Sequence, residues 1–282
     1  MAVRSDPKRG RKMLKVGEIA GKLCKPHLDP HILFDRASDD DLARYSPEML
    51  ALTAIHAQAE LDAWDHGEAR ITIDTMAGLE IEGEPLSLLA VTDHNMPFLF
   101  DSVMAEVAAS CRDIHFAVHP IILARKGKPL ELYTADKMSE PAERISHMQI
   151  HLPRQNTEAA DALIKRLERV LHQVHAAVGD WQAMLKTLDR AVLELSEYAP
   201  SRRAADKEES LAFFKWLRDD NFTFLGMREY LYTSDGKTGH VERDAGSGLG
   251  ILADPDVRVL RRGNDQMTTT PEILAFLEGP EL

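Results

Sequence analysis

The stretch Val91-Thr-Asp-His-Asn-Met-Pro-Phe-Leu-Phe-Asp-Ser-Val103 sets two carboxylic acids, an imidazole and an amide around a proline-closed turn. Before it, Leu86, Leu88, Leu89, Ala90 and Val91 form a short apolar run of the kind that makes a strand covered on both faces. After it, Phe100, Val103, Met104, Val107, Ala108 and Cys111 recur at the spacing of an amphipathic helix. Pro97 is expected in the first turn of that helix, with Asp93 or Asn95 able to cap it. A strand-to-helix junction of this type leaves backbone N–H groups at a helix N-terminus, where an acidic ligand group can be held. Asp93, His94, Asn95, Met96, Pro97 and Asp101 are therefore the candidate effector-binding residues. The N–H groups would take a carboxylate, and Asp93 or Asp101 would meet an ammonium group.

Other residue types that could do chemistry are less well arranged. His115 and His119 stand four apart on an expected strand, as do His147 and His151 on another, so each pair shares a face. Four strand residues span about 13 Å, too far for one pair to share an ion. Structural or pH-sensitive surface histidines are the preferred reading, and no metal site is expected. His172 and His175 are three apart on a helix, but no acid completes a ligand set. Ser102 lacks the glycines of a nucleophile elbow, and Cys111 falls on the apolar face of its helix. Asp39-Asp40-Asp41 and Asp219-Asp220 read as solvated caps or loops. No catalytic residue is expected in these 282 residues.

Cofactor loops are missing too. No G-x-G-x-x-G follows a strand and no G-x-x-x-x-G-K-[ST] occurs. Gly246, Gly248 and Gly250 are spaced G-x-G-x-G without a clear helix behind them, which favours a tight turn over a phosphate cradle.

The elements that position these residues follow from periodicity. Residues 1–38 read as a basic arm and irregular lead-in. A helix runs from Ser46-Pro47 to Trp64, then strands over 69–75 and 86–91, the helix 97–111, a long strand 114–126 and a return strand 130–134. Another strand covers 147–152, and Thr157 caps a long helix bearing Ala160, Leu163, Ile164, Leu167, Leu171, Val174 and Val178 on one face. Helical spacing then continues from Trp181 to Leu195. The expected fold class is α+β, a ferredoxin-like sheet with helices on one face. The strand 69–75 precedes the usual start and would take the place of the final strand. Residues 39–199 are expected to form this domain, 200–206 a polar link, and 200–282 the start of a second α+β unit, a helix over 208–218 followed by a hairpin, read as truncated. The run Ile114, Phe116, Val118, Ile121 and Leu123 shows large side chains on both faces of its strand, with Pro120 expected to shift the alternation. Part of that surface would then meet a second copy or another element.

Composition bounds the rest. A 44% hydrophobic content supports folded cores, and two cysteines, Cys24 and Cys111, indicate no disulfide framework. No apolar run is long enough for a bilayer and no signal-peptide core is present, so a soluble cytoplasmic protein without membrane contact is expected. The net charge of −12 is uneven: eight basic against two acidic residues through Lys25 leave +6 there and −18 beyond. The basic arm lacks interleaved aromatics and the body is acidic, which argues against nucleic acid.

Several segments in fixed order carry a family resemblance. Asp39-Asp-Asp-Leu-Ala43, Val91 to Val103, Asp113-Ile-His-Phe-Ala-Val-His-Pro120, Leu211-Ala-Phe-Phe-Lys-Trp-Leu-Arg-Asp-Asp-Asn-Phe-Thr-Phe-Leu-Gly226 and Gly246-Ser-Gly-Leu-Gly250 resemble the N-terminal region of the large bacterial NAD-specific glutamate dehydrogenases. The resemblance runs from about Asp39 to about Leu260. It departs from the family at Asn95, usually an acid there, and at His151, usually an aspartate, and both changes remove a negative charge. The turn glycine typical of ligand-binding ACT domains is also missing. The resemblance implies an ACT-type fold, and NAD-dependent oxidative deamination of L-glutamate to 2-oxoglutarate in the full-length enzyme, whose dinucleotide machinery lies far downstream. It implies a regulatory and assembly segment: the rest of the polypeptide and a second copy are its partners, and an amino acid is its effector. A structural ACT-like spacer, a stand-alone amino-acid-binding module and an independent enzyme are the competing readings, the last weakened by the missing cofactor loop.

Overall fold

The computed structural model describes residues 7–24, 28–111, 113–134, 141–197, 204–234, 239–257 and 266–269. Most of the link at 200–206, the hairpin turn at 235–237 and the segment 270–282 lie outside them. The chain divides into two compact units, 1–171 and 172–282.

The first unit is built on one antiparallel sheet. Its helices are α1 (Pro7–Leu23), α2 (Pro30–Leu33), α3 (Asp39–Ala43), α4 (Pro47–Ala63), α5 (Leu99–Ser110) and the start of α6 (Thr157–Glu197). Its strands are β1 (Arg70–Asp74), β2 (Glu80–Ile81), β3 (Glu84–His94), β4 (Phe116–Val118), β5 (Ile121–Ala124), β6 (Glu131–Leu132) and β7 (Glu143–Pro153). The order across the sheet is β1-β3-β7-β5-β6, with β2 on β3 and β4 on β7. Mixed helix and antiparallel sheet in this order is the expected α+β, ACT-like arrangement. β1 lies antiparallel beside β3, Arg70 opposite Thr92 and Asp74 opposite Leu88, and so takes the edge that a final strand would otherwise fill.

Three local expectations change. The arm is not irregular: residues 7–23 form a helix that buries Met13, Val16 and Ala20. Arg9 then donates to the carbonyls of Ala37 and Asp35 and pairs with Asp39, while Lys12 Nζ donates to the Tyr45 carbonyl. The strand 114–126 is interrupted at His119-Pro120, because proline has no N–H to give the ladder. Its alternation is nevertheless unshifted, since Val118 faces Gln149 and Ile121 faces Ser146 in one continuous register. The third change concerns the open face. Register puts Leu86, Leu88, Ala90, Thr92, His147, Gln149, His151, Phe116, Val118 and Ile122 on one side of the sheet. That side is covered within the chain, because Leu86, Leu88, Phe116, Val118, Ile122 and Ile145 share a core with Val16, Phe34, Tyr45, Leu50 and Ala54 of the lead-in. The surface expected to meet a second copy or another element is filled within the chain by α1 to α4.

The opposite side carries α5 and the start of α6 as expected. It buries Leu89, Val91, Met148, Ile150 and Leu152 with Val103, Val107, Leu163 and Leu167. Arg166 of α6 reaches Glu106 of α5 at 2.8 Å. The cap of α6 is Asn156, whose Oδ1 accepts from Ala159 N–H, rather than Thr157, its first residue.

In the second unit α6 buries Met184 and Leu188. α7 (Ala204–Trp216) ends in a π-type turn, Leu217–Asn221. β8 (Gly226–Met227), β9 (Tyr230–Ser234), β10 (Gly239–Arg243), β11 (Leu249–Gly250) and β12 (Gln266–Thr269) follow. They form a β12-β10-β9 sheet and a β11-β8 pair. The glycine loop is a close-packed turn. A Cβ on Gly248 would lie 2.2 Å from the Leu252 carbonyl, and the Gly250 N–H already donates to Asp180 Oδ2 at 2.8 Å.

Candidate functional site

At the β3–α5 junction the chain leaves the sheet at His94 and enters α5 at Leu99. Phe98 is the N-cap and takes a left-handed φ of 69°, so the helix cannot begin at Pro97. Neither Asp93 nor Asn95 caps it, and no side chain does. The first-turn N–H groups are thus uncapped, with Asp101 exposed beside them.

The candidate residues diverge around this turn. Asp93 is fully buried, and its Oδ1 accepts from the His94 N–H at 2.7 Å. The His94 ring turns the other way: Nε2 is 3.0 Å from the His66 carbonyl and Nδ1 is 3.3 Å from Glu143 Oε1. Trp64 packs on both imidazoles, 4.7 Å from His66 and 5.0 Å from His94. Asn95 N–H donates to the Arg144 carbonyl at 2.8 Å. Met96 is half-buried and Pro97 exposed. Asp101 thus lies exposed at the uncapped helix end, Asp93 is closed to solvent, and His94 belongs to a separate cluster.

Next to the junction, Phe100 stacks on His119 with ring centroids 4.7 Å apart. His119 Nε2 is 2.7 Å from the buried Ser146 hydroxyl. Burial, with Arg36 adding to it and Asp101 opposing it, pushes His119 down to about 4. A neutral ring of this kind is a poor base near neutrality, and Ser146 is closed to solvent.

A second polar group lies on the other side of the sheet, under α4, and sequence periodicity misses it. His147 and His151 are not surface residues but fully buried, with Thr92, Gln149 and Thr53 around them. Thr92 Oγ1 is 2.8 Å from His147 Nδ1, and Tyr45 Oη is 3.0 Å from His151 Nδ1. The Gln149 amide bridges two groups of α4, its nitrogen donating to the Thr53 carbonyl (3.2 Å) and its oxygen accepting from the Ala57 N–H (3.1 Å). Glu60 holds Arg70 at 2.7 Å and lies 3.9 Å from His56. Desolvation pushes both His147 and His151 down to about 3, helped by neighbouring histidines, and lowers His56 as well. The usable signal was the spacing of Thr53, His56 and Glu60 on α4 against the polar alternation of β7.

No group of three or more His, Cys, Asp or Glu among the described residues is arranged to hold a metal ion. Among the described residues no helix is long and apolar enough to cross a membrane.

The family model described as "Glutamate dehydrogenase, ACT1 domain" matches residues 31–167. A protein of Halomonas elongata named NAD-specific glutamate dehydrogenase is 29% identical over 203 residues, 67% of this chain. One of Pseudomonas aeruginosa with the same name is 26% identical over 194 residues. Over residues 31–167 the chain is thus similar to the glutamate dehydrogenase ACT1 domain. It spans 12% of the length of each of these relatives. The ACT1 match begins inside α2 and ends inside α6, so it takes in α4 and the buried layer beneath it as well as the β3–α5 junction.

Proposed function

We propose that this chain is the non-catalytic regulatory and assembly portion of a large cytoplasmic NAD-dependent glutamate dehydrogenase, with an amino-acid effector held at the β3–α5 junction. The observation that carries this reading is the uncapped start of α5 between Asp93 and Asp101, within the ACT1 match. The N–H groups would receive the effector's carboxylate and Asp101 its ammonium group. The whole enzyme would deaminate L-glutamate to 2-oxoglutarate with NAD bound elsewhere in the polypeptide. The partners of this segment would be that remainder and a second copy.

One observation favours a second reading, a structural spacer. Asp93, His94 and Asn95 already spend polar groups on neighbours within the unit. Calorimetric titration with a panel of amino acids decides between the two. The effector reading expects saturable binding of one amino acid, and a thermal shift matching roughly 2.7 kcal/mol of added stability at 100 times the dissociation constant. An unchanged melting temperature at millimolar concentrations of every amino acid leaves the spacer. Glutamate-dependent reduction of NAD by this chain alone would overturn both.

A further inference from the structure

We propose that the α1–α4 layer is an acid-releasable cover on the ACT1 sheet, packed on it through an apolar core into which a dry layer of buried histidines is set. This goes beyond effector binding and does not depend on it. The contact between α4 and the centre of the sheet is polar, whereas the α5/α6 side is apolar there. Under α4 lie Thr92, His147, Gln149 and His151, all fully buried. His147 Nε2, His151 Nε2 and Thr72 Oγ1 have no hydrogen-bond partner. Orphaned atoms of this kind are rare in a packed interior, and they mark an interface held below its full stability.

The charges around the layer do not favour an imidazolium. From α4, His147 faces His56, which is itself flanked by Glu60, Asp74 and Arg70, and Arg70 of β1 lies two strands from His147 in register on the same sheet side. His119 adds its influence through the sheet. His151 faces Tyr45, His115 and His56, with Asp74 two strands away in register. Glu60 is already engaged by Arg70, and Asp74 accepts from the Met76 N–H. A proton on either buried ring would therefore be an unpaired interior charge. The histidines stand below their ordinary value in the fold, so the folded layer binds fewer protons than the released one. Its stability is full above the ordinary histidine value and falls as pH drops below it. Separating α4 from the sheet hydrates the rings and lets them charge. It uncovers the polar Thr92, His147, Gln149 and His151 together with the apolar Leu86, Leu88, Phe116, Val118 and Ile122 of the same side.

Hydrogen-exchange mass spectrometry from pH 7.5 to pH 4.5, with labelling times scaled to the intrinsic exchange rate, tests this. Peptides of α1 and α4 should lose protection as the pH falls while those of β3 and α5 keep theirs. In the double variant His147→Asn, His151→Asn, the amides take the place of each Nδ1 and stay neutral. Its loss of protection should move down by on the order of one pH unit. Simultaneous loss across all segments, or an unmoved transition in the variant, overturns the proposal. Should the variant fail to fold, imidazole NMR of the unaltered chain decides. Signals of His147 and His151 that stay silent until α4 loses protection support release, and titration at the ordinary value with α4 still protected overturns it.

Discussion

Single residues explain why part of the site was legible and part was not. The apolar run of β3, Ser46 as the cap of α4 and the periodicity of α5 are local signals, and each is realised close to its expected place. His147, Gln149 and His151 alternate with apolar neighbours, which on an antiparallel strand reads as a solvent side. Only the tertiary placement of α4 buries them, and no local pattern in β7 announces it. Thr92 shows what this burial costs. Thr92→Val keeps the shape but leaves His147 Nδ1 without its partner, so urea unfolding should report a loss of about 1–3 kcal/mol. The same histidines set the acid side of the stability profile. Because their folded values, about 3, lie below the unfolded one, chemical denaturation should show stability falling from about pH 6.5 downward. The slope should be roughly 1.4 kcal/mol per pH unit for each buried ring, with little change between pH 7 and 8.

At the scale of elements, turns and packing decide what periodicity leaves open. Pro120 splits one expected strand into β4 and β5, yet the shared register with β7 keeps Phe116, Val118 and Ile122 on one side. The arm became α1 because Met13, Val16 and Ala20 meet a core that composition alone could not reveal. α5 starts two residues late because of the left-handed Phe98, a conformation aromatic residues seldom adopt. In the second unit glycines work by closeness rather than by holding phosphate. Gly248→Ala would drive a methyl into the Leu252 carbonyl, and the loop from 246 to 252 must move. A loss of about 1–3 kcal/mol in the unfolding of this unit is expected. Inorganic phosphate should give no heat on titration, since Asp180 already occupies the Gly250 N–H.

For the whole molecule, the lead-in changes where assembly can occur. With both sides of the sheet covered, large exposed apolar side chains are scattered in the first unit, whereas the second exposes Phe213, Trp216, Phe222, Leu225, Leu231 and Tyr232. Self-association should therefore depend on the second unit. Light scattering over a dilution series should show a dimer at micromolar concentration that Phe213→Ser with Trp216→Ser weakens, while Met76→Ser leaves it unchanged. An unaltered dimer in the double variant would place assembly elsewhere. The transposed edge strand bears on how the chain is made. β1 precedes β3, so every strand of the ACT1 sheet has left the ribosome once Pro153 has emerged, and no later segment must return to finish it. Vectorial synthesis can then complete this unit as soon as α6 begins to wind, before the second unit offers competing partners.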